Sequence, residues 1–583
     1  MMKYRYLLAF AALAIPFCLS AKPAYRGLLK HLNPDGTTVE YRLHGDEYFS
    51  YMTDTDGMLL TRTADGSLVR RTEGGKPVYA SAETLRGMRK AAGSHNNRHR
   101  MAPLDTDGRT KYNTIGETRA LVLLLEYSDI KFQSTSPQDI ADMLNKPGYN
   151  KFGSQGSVRD YYVENSGGKF TPVFDVSKVV TLPNTSKYYT GPEDNSKYVN
   201  FREAIKYALE ELDAEIDYSK YDCDGDGVVD TVYIFYAGYG QADTPLDGQV
   251  IWPHQGWLTG YSFDGVRFGQ YACSNELNGQ RHYAEKDMYV DGPGTFIHEY
   301  GHVLGMPDLY DPEYKDDSIT VSYWDVMDTG SYNNEGYCPP NLSTYEKWVY
   351  RWIEYDFTAD NTRYDLKSIQ DGGTGLVIPV QSGSISGDNS EYFILESRSN
   401  TGWDTYIGDY NGGVPGLLVW HIDYNNEIWK ANRVNSTPGH PGCFLVTADG
   451  TADPFKENVP EDYRYYPIAP FFPGKSNRTS ISPDGEICLR TYLNGGAPMD
   501  VTISDIKYDD ATRTSSFGYN LDPGSVGSIG SDPESVYGVK GAIVAPQGAE
   551  IYNLAGARVA SAPLAPGVYL VRHQARVHKV TVR

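Results

Sequence analysis

The chain has 583 residues, a formal net charge of -22 and 40% hydrophobic residues. That length exceeds what one hydrophobic core organises, so several domains are expected, and the apolar content is enough to fill them. The acidic balance disfavours nucleic acid as a partner, since its binders carry basic patches, and suits a soluble extracellular protein.

Lys3 and Arg5 precede an apolar run from Leu7 to Phe17, and Cys18-Leu19-Ser20-Ala21 then offers the small residues a signal peptidase accepts. Residues 1–21 therefore read as a signal peptide, too short for a membrane span. A lipoprotein reading through Cys18 is the alternative, for which Phe17 and Leu19 are poor neighbours. No later stretch approaches the length of an apolar span, so a secreted or cell-surface location is expected. Cys223, Cys273, Cys338, Cys443 and Cys488 are odd in number and scattered, which implies neither a disulfide framework nor a metal cluster.

From Lys22 to about Lys111, turn signals alternate with short strand-like runs, as in Asp35 to Tyr51 and Asp54 to Leu60, predicting a small β-rich module. The basic, apolar-poor stretches Leu85–Lys90 and Asn97–Arg100 read as an exposed linker. A module tethered by a cleavable linker ahead of a metal enzyme predicts a propeptide over 22–112 and an activating protease. A permanently attached accessory domain is the alternative. The segment contains no cysteine, so latency through a thiolate is excluded and a carboxylate or steric cover would have to serve.

The run Arg119–Glu126 reads as a buried strand opening a larger core. Phe201, Ala204, Ile205, Ala208, Leu209 and Leu212 recur at helical spacing and predict one amphipathic helix against it. Asp222, Asp224, Asp226 and Asp230, with the Val228 carbonyl, alternate with glycines so that several oxygens can converge on a hard cation, for which calcium is the natural choice. Position twelve is Tyr233 where an EF-hand has Glu, so a structural calcium loop is expected rather than a complete EF-hand. A solvated acidic turn is the bland reading. Further along, Gly265–Cys273 reads as one strand that could line a cleft and offer backbone groups to an extended peptide. His254 stands alone, and an isolated histidine is more often structural.

The stretch Thr295–Asp308 carries the chemistry. On a helix, His298 and His302 are four residues apart and project from one face, where their imidazoles can share a zinc ion. Glu299 lies one position along, close to the remaining coordination position, where a general base is needed. Gly305 can adopt the left-handed conformation that stops a helix and Pro307 cannot continue one, so the chain must turn back. Asp308 on that turn can supply the third protein ligand and leave a fourth position open. A core helix whose histidines merely satisfy neighbours is the competing reading. Met327, in the turn Ser322–Tyr332, can pack its thioether beneath the ligands, in the order in which zinc hydrolases with an extended His-Glu-x-x-His-x-x-Gly pattern use a Met-turn. Tyr332 is a candidate for stabilising the oxyanion.

With these residues in place, the run His298–Asp311 resembles the immune inhibitor A family of secreted bacterial metallopeptidases, which are metzincin-like. So do Gly156–Asn165, Trp324–Met327, Glu391–Arg398 and Gly416–Asp423. Together they cover roughly residues 119–520. The resemblance implies an exported zinc endopeptidase made as a zymogen and acting on proteins or peptides. It puts the third ligand at Asp308, with Asp311 the nearer rival and Glu346 the more distant one. The fold class expected is α+β multidomain: a metzincin-like catalytic domain, with a twisted sheet and an active-site helix, at 113–357, then a β-sandwich-like domain at 358–522. A flexible linker at 523–540 and a small β module at 541–583 follow. The runs Ala549–Val559, Leu564–Val571 and Val577–Val582 resemble C-terminal sorting domains read by the type IX secretion machinery, an ordinary β module being the alternative.

Overall fold

The computed structural model describes residues 20–47, 49–91, 104, 108–133, 135–191, 198–245, 250–280, 289–312, 319–381, 389–407, 415–456, 469–521, 536–539, 542–545, 548–573 and 576–582. Most of the expected signal peptide and of the linker lies outside them. Among the described residues no helix is long and apolar enough to cross a membrane.

The N-terminal module is a five-stranded antiparallel meander of β1 (Leu29–Leu32), β2 (Thr38–Gly45), β3 (Ser50–Thr53), β4 (Leu59–Arg62) and β5 (Leu68–Arg70), followed by the hairpin β6 (Thr72–Glu73) and β7 (Lys76–Pro77). Its inward residues Leu29, Tyr41, Leu43, Met52 and Leu68 share one apolar cluster with the larger sheet described next. The stretch Leu85–Lys90, expected as linker, is instead inside helix α1 (Ala82–Ala91). Local signals outweigh its lack of apolar surface: the Ser81 hydroxyl accepts from the Thr84 amide at 3.2 Å. Glu83 opens the helix and Arg89 and Lys90 close it, complementing the helix dipole.

The central part runs through β8 (Arg119–Glu126), α2 (Pro137–Asn145), α3 (Val158–Asn165), β9 (Val173–Thr181), α4 (Ser186–Thr190), α5 (Val199–Leu212), β10 (Val228–Val229), β11 (Val232–Tyr239), β12 (His254–Trp257), β13 (Ser262–Phe263), β14 (Val266–Phe268), β15 (Gln270–Leu277) and α6 (Pro293–Val303). Its main sheet has the order β12-β15-β11-β8-β9. Four strands are parallel and the edge strand β12 is antiparallel to β15. Strand alternation sorts the apolar run of β8. Leu121, Leu123 and Leu125 face Phe201, Ala204, Ile205, Ala208 and Leu209 of α5, whereas Val122 and Leu124 face the side on which α6 packs. There Phe296 of α6 stacks on Tyr233 with ring centroids 3.7 Å apart.

The single strand expected over Gly265–Cys273 is two. β14 pairs with β10 in a separate three-stranded sheet, and β15 enters the main sheet between β12 and β11. The backbone groups of β15 are therefore already used, and β12 is the edge on that side of the sheet.

Beyond α7 (Thr344–Val349) come β16 (Asp356–Phe357), β17 (Thr362–Lys367), β18 (Leu376–Pro379), β19 (Asn389–Arg398), β20 (Gly416–Asn425), α8 (Asn426–Lys430), β21 (Cys443–Leu445), β22 (Ile503–Asp509) and β23 (Thr514–Tyr519). They form the sheets β16-β18-β19-β20-β21 and β17-β23-β22. Phe393 and Leu395 of β19 face the smaller sheet, whereas Tyr392 and Ile394 join the core that also contains Phe296 and Tyr300 of α6. The larger sheet is thus sandwiched between the smaller one and the central core. The boundary expected at 357/358 falls between strands of one sheet, because β16 pairs with β18.

The last elements are β24 (Tyr537–Val539), β25 (Ala542–Val544), β26 (Glu550–Asn553), β27 (Arg558–Val559), β28 (Gly567–His573) and β29 (Arg576–Val582). They enclose their own small core of Ile543, Ile551, Tyr569, Val571, Val580 and Val582. Tyr537–Val539, assigned to the linker by sequence, pairs with β25.

Candidate active site

Helix α6 starts with Pro293, whose missing N–H costs nothing at a helix N-terminus, and ends at Val303. Gly305 then takes φ +103°, the left-handed turn anticipated for it. Thr110 seals that end, its hydroxyl donating to the Leu304 carbonyl at 2.7 Å. The turn brings Asp308 back beside the helix, where its Oδ1 lies 3.3 Å from His298 Nε2 and 3.1 Å from His302 Nε2. The two Nε2 atoms are 3.1 Å apart and all three side chains are buried.

The outer nitrogens fix which way the lone pairs point. His298 Nδ1 lies 2.7 Å from the Val326 carbonyl and His302 Nδ1 lies 2.8 Å from the Met306 carbonyl. A carbonyl only accepts, so each Nδ1 carries the proton and each Nε2 presents its lone pair to the shared centre. Burial pushes His298 below its ordinary value, which keeps it neutral. Burial works against a charge on Asp308, which a cation shared with the two imidazoles would compensate. Ligand atoms about 2.0–2.1 Å from one tetrahedral centre lie roughly 3.3 Å from each other, so the trio suits a single zinc ion. Asp308 Oδ1 is buried with no hydrogen-bond donor among the described residues, as befits an atom reserved for a cation.

Met327 lies under the helix. A Cβ on Gly301 would come within 2.7 Å of the Met327 sulfur, so only glycine admits this approach. Val326, the neighbour of Met327, supplies the carbonyl that orients His298, which ties the turn to the ligand geometry. Asn432, just past α8, was invisible to sequence reasoning: it binds Asp308 from 124 positions away, and nothing local marks it.

Glu299 is buried, and burial pushes its carboxyl well above the ordinary range. Its Oε1 accepts the Lys22 backbone N–H at 2.9 Å, while its Oε2 has no hydrogen-bond partner among the described residues. The segment Ser20–Pro23 lies extended across the site. Ser20 pairs with Gln255 of β12 in both directions, at 3.1 and 2.6 Å. The Ala21 carbonyl accepts from the Tyr310 hydroxyl at 2.5 Å, the Lys22 carbonyl from Trp252 Nε1 at 2.9 Å, and the Pro23 carbonyl from the Tyr332 hydroxyl at 2.7 Å. Tyr332, the expected oxyanion partner, is therefore at the cleft but on Pro23, and Tyr310 contacts the carbonyl adjoining the amide on Glu299.

The rival ligands are not in the trio. Glu346 caps α7, its Oε2 accepting from the Ser343 amide at 2.7 Å and from the Ser343 hydroxyl at 3.0 Å. Asp308, not Asp311, reaches the imidazoles. His254 is held between the Trp252 carbonyl at 2.7 Å and the Tyr271 hydroxyl at 2.8 Å, and stacks on Tyr198, which is a structural setting.

In the acidic loop, carboxylates of Asp222, Asp224 and Asp226 converge. Asp222 already accepts from the amides of Gly225, Asp226 and Gly227 at 2.8–3.0 Å, which curls the backbone around it. Asp230 turns instead to the Cys223 amide at 3.0 Å, and burial pushes it up to about 6.

Two imidazoles and one carboxylate, with a glutamate beside them, make a donor set that fits a single metal ion next to a candidate general base. Consistent with this, residues 106–355 match the family model described as immune inhibitor A peptidase M6, catalytic domain. The chain is 28% identical over 274 residues to the pre-pro-metalloprotease PrtV of Vibrio cholerae serotype O1, a match covering 41% of this chain and 29% of the relative. It is 29% identical over 308 residues to immune inhibitor A of Bacillus thuringiensis subsp. alesti, covering 44% of each. The chain spans less than half the length of either relative, and the likeness is to a metallopeptidase catalytic region.

Proposed function

We propose that this protein is an exported zinc endopeptidase of metzincin-like type, held latent by its N-terminal module. The observation that carries the reading is the convergence of His298, His302 and Asp308 within 3.1–3.3 Å, beside a glutamate that already contacts a backbone amide nitrogen. A zinc ion held by that trio would polarise the substrate carbonyl and make water acidic enough to react near neutral pH.

The chain's own residues supply the rest. Glu299, beside that water, takes its proton and passes it to the leaving nitrogen. That its Oε1 lies 2.9 Å from the Lys22 nitrogen supports this second role, because a leaving amine needs a donor within hydrogen-bond reach. Tyr310 steadies the adjoining carbonyl oxygen, and Tyr332 positions the chain beyond it. Strand β12 aligns an extended substrate by backbone pairing, as Ser20 illustrates.

Lys22 and Pro23, the first residues of the expected propeptide, sit in this groove behind the last two residues of the expected signal peptide, and their contacts with Glu299, Trp252 and Tyr332 support the propeptide reading. The cover is steric and backbone-mediated, so neither a thiolate nor a carboxylate is needed. Removal of the linker by an activating protease would free the cleft. The calcium loop is read as a structural site, and the 541–583 module as the address read by type IX secretion machinery. The test is cleavage of a broad peptide library by the processed protein, stopped by a zinc chelator and restored by added zinc. An intact library with stoichiometric zinc bound would leave a binding protein that keeps the site without turnover.

A further inference from the structure

The side chain of Lys22 enters a pocket that the peptidase reading leaves unexplained. Its ammonium donates to Thr295 Oγ1 at 2.8 Å and lies 4.2 Å from the centroid of the Tyr332 ring. Thr295 in turn donates to Asp291 Oδ2 at 2.7 Å. Asp243 and Asp291, both buried, are pushed upward by desolvation and drawn back by the charge of Lys22. The residue itself is only 1% exposed. Two carboxylates sunk in the interior are costly unless a cation compensates them. The segment that provides that cation belongs to the N-terminal module, so it leaves the cleft when the module is removed.

The backbone around Lys22 gives the pocket its register. In the chain with its leader still attached, the bond between Ala21 and Lys22, the junction of the expected signal peptide and propeptide, has its N–H on Glu299 and its carbonyl on Tyr310, so it occupies the reacting position, and Lys22 is the residue on its amino-product side. The Lys22 pocket is then the subsite for the residue that follows the bond to be broken. We propose that the enzyme cleaves on the amino side of lysine, with Thr295, Asp291, Asp243 and Tyr332 as its selectivity pocket; this rests on the peptidase reading. Water oxygen bonds to the carbonyl carbon preceding lysine, the C–N bond breaks, and the proton held by Glu299 goes to the lysine nitrogen. A compact ammonium suits a single hydroxyl acceptor over an aromatic face, whereas the planar fork of arginine asks for paired acceptors.

The experiment uses the full chain processed with immobilised trypsin that is then removed, with Glu299→Ala protein treated identically as the blank. Cleavage sites in a proteome-derived peptide mixture are mapped by mass spectrometry, and kcat/KM is measured for peptides differing only in lysine or leucine after the scissile bond. Cuts before lysine are expected to dominate, with a ratio of about 100-fold or more, since buried carboxylates left without a cation reject the apolar side chain. Asp243→Asn and Asp291→Asn should collapse that ratio; if they fail to fold, the wild-type profile decides alone. Efficient cutting with no preference at that position overturns the pocket assignment and leaves the peptidase standing. No cutting of any peptide by zinc-loaded protein overturns both.

Discussion

Asn432 clasps Asp308 at two points: its Nδ2 donates to Asp308 Oδ2 at 2.5 Å, and its Oδ1 accepts the Asp308 amide at 2.7 Å. One side chain thereby fixes both the carboxylate plane and the backbone of the proposed third ligand, leaving Oδ1 for the metal. Partners of this kind are worth about 10- to 100-fold in metal affinity. Asn432→Ala is expected to weaken zinc binding by that factor in a competition titration with a chelating dye. Unchanged affinity would show that Asp308 holds its geometry unaided.

Glu299→Ala should keep close to one zinc per chain while losing peptidase activity, because the glutamate acts on water and the leaving nitrogen without ligating. His302→Ala should lose metal and activity together, two remaining donors being too few. Elemental analysis beside the peptide assay separates the cases, and retained zinc in His302→Ala would mean that the ligand set is wrong.

For the acidic loop, calcium is expected to stabilise the native state by mass action, about 2.7 kcal/mol at one hundred times its Kd. Thermal unfolding at constant zinc should shift upward with added calcium, and Asp224→Ala with Asp226→Ala should abolish the shift. A shift that persists in the double variant places the ion elsewhere.

Arg398 lies buried between Glu396 at 2.8 Å and Asp404 at 3.2 Å, and its Nη1 also donates to the Asn341 carbonyl at 3.0 Å. It links β19 to the segment leading into α7. Arg398→Met would strand two buried carboxylates, at a cost of about 3–5 kcal/mol. Urea denaturation measures it; a change under 1 kcal/mol would mean that the carboxylates simply take up protons.

Maturation should begin with a trypsin-like cut in the basic stretch Arg86–Arg109, most readily outside the helix that ends at Ala91. Activity is expected to appear with that cut, as Lys22 and Pro23 lose their tether to the cleft. Mass spectrometry of timed digests, assayed in parallel, follows both. A chain still intact from Lys22 and already as active as the trimmed one would reduce the module to an accessory domain.

By itself the sequence determined what is periodic or adjacent along the chain. The spacing of His298 and His302, the stop at Gly305, the six apolar positions of α5 and the buried run of β8 are local patterns, and the structure has the corresponding elements. The helix over Leu85–Lys90 was missed because capping and dipole complementarity, rather than apolar surface, sustain it. Only the tertiary structure decided which distant groups meet: Asn432 on Asp308, Tyr310 rather than Tyr332 on the Ala21 carbonyl, β12 rather than β15 at the sheet edge, and Lys22 above Thr295. The physical reason is that short-range pattern fixes the direction of a side chain within its own element, whereas contacts across hundreds of residues depend on how whole sheets pack. A lysine near the start of the chain carries no mark that its amide will rest on the glutamate of a helix 277 positions later.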